Sequence, residues 1–100
     1  MLVYKFDVLK ALYTKGWTRT TLQRERGEDG KVVLGSEQVQ RISYGKVISA
    51  RGLDKLCKLL DMQLGDIVEY IPDDRYKALK KSGYFDEIGI PTPPLGEEGL

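Results

Sequence analysis

The run from Gly35 to Tyr70, GSEQVQRISYGKVISARGLDKLCKLLDMQLGDIVEY, sets two helices of opposite character side by side. In the second, Leu53, Leu56, Cys57 and Leu60 fall at i, i+3, i+4 and i+7, the spacing of one apolar stripe on an α-helix. Asp54, Lys55 and Lys58 lie outside that stripe, so this segment (about 52–60) predicts a helix docked on a core. The first, about 36–44, carries only Val39 and Ile42 as apolar residues, three apart, and Gly45 ends it. Such a helix docks along a thin line. It leaves Ser36, Glu37, Gln38, Gln40 and Arg41 outward, the side chains a base edge in the DNA major groove bonds to.

The rest of the chain supplies helices for these two to pack on. Phe6, Leu9 and Leu12 or Tyr13 recur at helical spacing, with Val8 widening the stripe, which predicts a first helix over 5–15 stopped by Gly16. Thr18 reads as the N-cap of a second helix, about 19–26, with Leu22 its main apolar residue. GEDGKVVLG (27–35) is irregular, with a turn at Asp29-Gly30 and Val32–Leu34 as a short extended piece or a buried plug. Ser36 then reads as the cap of the polar helix. After the amphipathic helix, 64–70 predicts a short fifth helix closed by Pro72, with Ile67, Val68 and Ile71 as core candidates. Asp73 or Asp74 caps a short sixth helix, about 74–82, ended by Gly83. The Pro- and Gly-rich GIPTPPLGEEGL cannot hold a helix and reads as an irregular arm. The expectation is an all-α domain of five helices over 1–74, followed by a C-terminal extension over 75–100.

Charge points the same way once it is divided. The net +1 hides 12 Lys/Arg against 6 Asp/Glu over 1–58, and 4 against 9 over 59–100. A basic front and an acidic back suit a protein with phosphate on one side. Several classes are disfavoured. With no histidine, Ser-His and Cys-His nucleophile pairs are absent, and one cysteine without histidine leaves no usual zinc set. No nucleotide-binding glycine motif occurs, and no apolar run reaches the roughly 20 residues of a membrane span. No enzyme activity, cofactor, metal or small-molecule ligand is therefore expected. MLVYKFDVLK carries no apolar leader segment, and the lone Cys57, read as a small buried hydrophobe, fits a reducing, cytoplasmic setting. Trp17 reads as core or partly exposed rather than as a base-stacking platform. Tyr44 either packs under the Gly45 turn or presents its hydroxyl to phosphate.

The order of these pieces resembles the helix-turn-helix domain of the lambda Cro/repressor family, the xenobiotic-response-element type. WTRTTLQRER resembles the scaffold helix, SEQVQRISYGK the recognition helix with its terminating Gly-Lys, and LDKLCKLL the fourth helix. LDMQLGDIVEYIPDD and YKFDVLKAL resemble the closing and opening segments of one compact bacterial subgroup. The resemblance covers about residues 3–74. It departs at GEDGKVVLG, longer than the usual turn of three or four residues. Lys31 in that loop is a candidate phosphate contact.

The resemblance implies a DNA-binding regulator and assigns roles by position. Ser36, Glu37, Gln40 and Arg41 fall on base-edge positions, with Gln38 beside them facing backbone or solvent. Arg41 suits guanine O6 and N7, Gln40 adenine N6 and N7, and Glu37 cytosine N4. Glu37 has a competing role, complementing the helix dipole. Arg19 and Thr20 fall where the family grips a phosphate, and Lys46 where it touches the backbone. It also implies a homodimer on a palindromic site, acting as a repressor. Tyr76, Leu79, Tyr84, Phe85 and Ile88 of the extension are candidates for the dimer contact, too many apolar residues for a free tail. The rival reading is a protein-interaction module on the same fold, an antitoxin or an inhibitor of a host protein.

Overall fold

The computed structural model describes residues 1–93. Along it run β1 (Leu2–Tyr4), α1 (Val8–Thr14), α2 (Arg19–Arg24), α3 (Ser36–Ser43), α4 (Ala50–Leu60), α5 (Leu64–Ile67), β2 (Val68–Tyr70), α6 (Asp73–Lys81) and α7 (Tyr84–Ile88). The helix starts follow local chemistry. The Asp7 carboxylate accepts from Lys10 N–H, the Thr18 hydroxyl from Thr21 N–H, and the Ser49 hydroxyl from Gly52 N–H. Each satisfies a donor that the first helical turn leaves without a partner.

The main core joins α1 through α5. Val8, Leu9 and Leu12 meet Leu22, Leu34, Val39, Ile42, Leu56, Leu60 and Ile67, all buried. Leu53, Cys57 and Trp17 pack at its edge, partly exposed. The amphipathic pattern that predicts α4 therefore sits where its spacing demands. Gly52 lets α4 approach its neighbours. A methyl group there would stand 2.5 Å from Ile48 Cδ1 and 2.9 Å from Gln38 Nε2, closer than packed atoms allow.

The fold is mostly helical, as expected, but not all-α, because one small two-stranded sheet joins the helices. The predicted fifth helix ends at Ile67, and Val68 turns extended (φ −129°, ψ 157°) to begin β2. β2 pairs antiparallel with β1, Leu2 opposite Tyr70, Val3 opposite Glu69 and Tyr4 opposite Val68. The reason is non-local. The backbone donors and acceptors of 68–70 find partners in the first residues of the chain, and Val and Tyr suit a pleated surface. Alternation then sends Tyr4 and Val68 into the main core and Val3 into a second core with Ile71, Tyr76, Phe85 and Ile90. The two cores lie against opposite faces of this ribbon.

Three further expectations change. Gly35, not Ser36, occupies the N-cap position of α3 (φ −66°, ψ 160°), so Ser36 is its first helical residue. Pro72, not an aspartate, precedes α6, whose first turn holds Asp73 and Asp74. Between the expected sixth helix and the arm of 89–100 lies a seventh helix, α7, that the sequence reading did not assign, set off from α6 by left-handed Gly83 (φ 80°). This helix places Phe85 against Tyr76, ring centroids 5.5 Å apart. Tyr76 and Phe85 are almost fully buried inside the molecule and so unavailable for a dimer contact; Tyr84 and Ile88 stay exposed. Residues 94–100, which hold the rest of the predicted arm, lie outside the described residues.

Candidate nucleic-acid interface

Two residues hold α3 in place and the others face out. Val39 and Ile42 are buried, while Ser36, Glu37, Gln40 and Arg41 are exposed. Gln38 does not join that face. Its Oε1 accepts from Gly35 N–H at 3.3 Å, closing the first turn of the helix, and its Nε2 stands beside Gly52 of α4. A side-chain amide is as good a helix cap as a base reader, and only its direction decides.

Arg41 and Glu37 are joined. The guanidinium donates to Glu37 Oε1 at 2.8 Å across one helical turn, with both side chains largely in solvent. The end of α3 is closed by a Schellman motif. Gly45 adopts φ 80°, its N–H bonds the Ile42 carbonyl, and Lys46 N–H bonds the Arg41 carbonyl at 2.9 Å. Lys46 thus directly follows the exposed polar face of α3 and is itself partly exposed. Tyr44 is exposed and does not pack under the turn.

Arg19 and Thr20 stand exposed at the start of α2, which packs against α3. A reciprocal cap fixes that end: Thr18 N–H donates to Thr21 Oγ1 at 2.7 Å and Thr21 N–H to Thr18 Oγ1 at 3.1 Å. Leu22, fully buried, holds α2 on the core. A short helix thus stands behind a second one whose outer face is polar and whose inner face is two aliphatic residues.

Residues 8–73 match the model of the Cro/C1-type HTH DNA-binding domain. The chain belongs to the Cro/C1-type HTH family. No curated protein and no solved structure matches it. Among the described residues, no helix is long and apolar enough to cross a membrane.

The match runs from α1 to the start of α6, so β1, the rest of α6 and α7 lie outside the matched residues. Inside the match, the long connection between α2 and α3 is a closed excursion. Val33 N–H bonds the Glu25 carbonyl at 2.8 Å and Leu34 N–H bonds the Leu22 carbonyl at 2.9 Å. Arg26 and Val32 pair as an isolated bridge, and the tip turns over Gly30 (φ 75°). Leu34 is the buried plug; Val32 is extended. Lys31 is exposed at the tip, where its backbone N–H bonds Asp29 Oδ1 at 3.0 Å. That bond and the nearby Lys55 hold the Asp29 carboxyl below its usual range. Lys55 Nζ, 3.2 Å from the Val32 carbonyl and 3.7 Å from Asp29 Oδ2, latches the loop to α4. Between loop and α4 lies an open cleft of about 770 Å³ over Trp17, Val33 and Leu59, its rim bearing both signs of charge.

Tyr4, outside the family match, is a supporting residue that sequence reasoning passed over. Its hydroxyl donates to the Lys46 carbonyl at 3.0 Å and accepts from Ile48 N–H at 3.3 Å, tying β1 to the link between α3 and α4. Burial pushes its pKa up to about 12, against a smaller opposing effect of the Ile48 N–H. The sequence offers no signal for this contact, because an aromatic residue in an apolar run looks the same whether or not its hydroxyl is used.

Proposed function

We propose that the protein is a transcriptional repressor that binds a palindromic operator as a homodimer, with α3 in the major groove. The exposed face of α3 carries this reading. A helix that buries two residues and turns Ser36, Glu37, Gln40 and Arg41 outward is suited to base edges. In this reading Arg41 takes a guanine and Gln40 an adenine. Glu37 orients the Arg41 guanidinium through the ion pair rather than reading a base alone. Arg19 and Thr20 on α2 and Lys46 after α3 hold phosphates, fixing register without specifying sequence. Two-fold operators pair with two-fold proteins. Tyr84 and Ile88, four residues apart on α7, are exposed apolar residues available for contact between copies.

Selection of bound sites from a random duplex library tests this. A palindrome with half-sites about one helical turn apart is expected, bound with affinity that falls steeply with salt. No enriched motif, together with copurification of a protein partner that tolerates Arg41→Ala, would move the assignment to the protein-interaction reading.

A further inference from the structure

We infer that residues 90–93 form a strap that positions the recognition helix, so that the C-terminal extension takes part in DNA recognition without touching DNA. This rests on the reading of α3 given above.

Three observations converge on the turn after α3. First, the strap lies on Gly45. A methyl group there would overlap the Pro91 carbonyl and stand 2.5 Å from Thr92 Cα, so the two backbones are in direct contact and Gly45, a glycine within a turn, is buried. Second, the strap is pinned from behind. Lys80 Nζ donates to the Thr92 carbonyl at 3.1 Å and to its hydroxyl, Tyr76 Oη donates to the Pro93 carbonyl at 3.4 Å, and Ile90 and Pro93 are buried. Third, the covered turn is the one whose hydrogen bonds close on the Arg41 and Ile42 carbonyls. A displacement of the strap therefore loosens the last turn of α3, the turn that carries Arg41.

The strap and its anchors lie beyond the end of the family match at residue 73. The turn is also held from the other side by Tyr4, from the segment before the match. The additions at the two ends of the domain, joined through the second core of Val3, Ile71, Tyr76, Phe85 and Ile90, thus grip one point. That point is the exit of the recognition helix. Such support is what a specific site needs, since reading side chains must be held by residues that do not themselves contact the ligand.

The test uses the full chain with Tyr76→Phe, Lys80→Met and Thr92→Val combined, which removes the side-chain pins on the strap and leaves every candidate DNA contact intact. Two quantities are read: amide exchange at Gly45 and Lys46 relative to Leu22 and Leu34, and affinity for the selected operator relative to random duplex. The expected result is faster exchange confined to Gly45 and Lys46, with operator affinity down by roughly tenfold, about 1.4 kcal/mol, and random-duplex affinity unchanged. Faster exchange with unchanged operator affinity would make the strap a structural brace only and overturn the inference. Unchanged exchange would overturn it as well, since the strap would then not be holding the turn. If the pinned protein itself selects no operator, the repressor reading fails separately, and the exchange arm alone decides whether the strap holds α3. General unfolding of the triple variant would appear as faster exchange at Leu22 and Leu34; Thr92→Val alone, which keeps the Lys80 bond to the Thr92 carbonyl, then carries the same two readouts.

Discussion

Replacing Tyr4 with phenylalanine removes one oxygen atom and, with it, the bridge between β1 and the α3–α4 link. The Lys46 carbonyl loses a donor at 3.0 Å and the buried Ile48 N–H loses an acceptor at 3.3 Å. An unsatisfied buried group costs about 1–3 kcal/mol, a large share of the roughly 5–15 kcal/mol that holds a domain together. The wild-type advantage should also depend on pH in one direction. The folded-state pKa of about 12 lies above the ordinary tyrosine value of 10.0, so between these the folded protein keeps the phenol proton that the unfolded chain has lost. The contribution is complete below pH 10 and declines as pH rises toward 12, by about 1.4 kcal/mol per pH unit, or about 2–3 kcal/mol in all. Urea unfolding of both proteins at pH 8, 10, 11 and 12 measures the difference, and the other tyrosines and the lysines cancel because both proteins carry them. The variant should be less stable at pH 8 by about 1–3 kcal/mol, with the gap narrowing to near zero at pH 12. A gap that is constant across this range would refute the argument, because the hydroxyl would then not be the buried, bonded group described.

Further outcomes follow from the same contacts. Gly45→Ala should cost the left-handed penalty of about 1–2 kcal/mol plus displacement of Pro91. Gly16→Ala, at φ 95° with nothing within 4 Å, should cost the backbone penalty alone, so equal thermal destabilisation of the two would count against the strap contact. Leu34→Ala empties a fully buried site and should lose about 2–5 kcal/mol in denaturant unfolding. Deletion of residues 28–30 should lose less than about 1 kcal/mol, since the bonds Glu25–Val33 and Leu22–Leu34 close the loop at its base. In operator binding, Arg41→Ala should relax preference at one base pair by about 1–3 kcal/mol, and Glu37→Ala should relax it at that same base pair; an effect at a different one would mean that Glu37 reads a base itself. Lys46→Ala should weaken all duplexes alike and lower the salt slope by about one; a sequence-selective loss would show that Lys46 does more than hold phosphate.

Much of the helical frame was legible because its causes are local. Leu53, Leu56, Cys57 and Leu60 announce α4 by spacing, Thr18 announces α2 by its hydroxyl, and Gly16, Gly45 and Gly83 mark the ends where left-handed backbone is needed. The ribbon was not legible, because its cause is a pairing between the two ends of the domain. Val68–Tyr70 continue an apolar run that a helix accepts equally well, and nothing within that run names Leu2–Tyr4 as its partner. The extension shows a mixed outcome. The count of apolar residues from Tyr76 to Ile88 signals burial but not against what, and Val3 and Ile71 take the place that a second copy of the chain was expected to fill for Tyr76 and Phe85.

At the candidate interface the same division separates residue type from residue direction. Exposed polar residues at Ser36, Glu37, Gln40 and Arg41 follow from the narrow apolar stripe of Val39 and Ile42, because a helix that buries one line of side chains leaves the remainder outside. Gln38 sits next to that stripe, and there the period of the helix does not decide. Its amide turns toward Gly52 because a glycine on α4 leaves room for it and the Gly35 N–H needs an acceptor. The long loop before α3 resolves by similar bookkeeping of backbone bonds. Its added residues satisfy one another between Arg26 and Val32. The chain re-enters at Val33 and Leu34 bonded to the end of α2. The link that the two helices feel is therefore short, and the added residues stand aside from α3, held on α4 by Lys55.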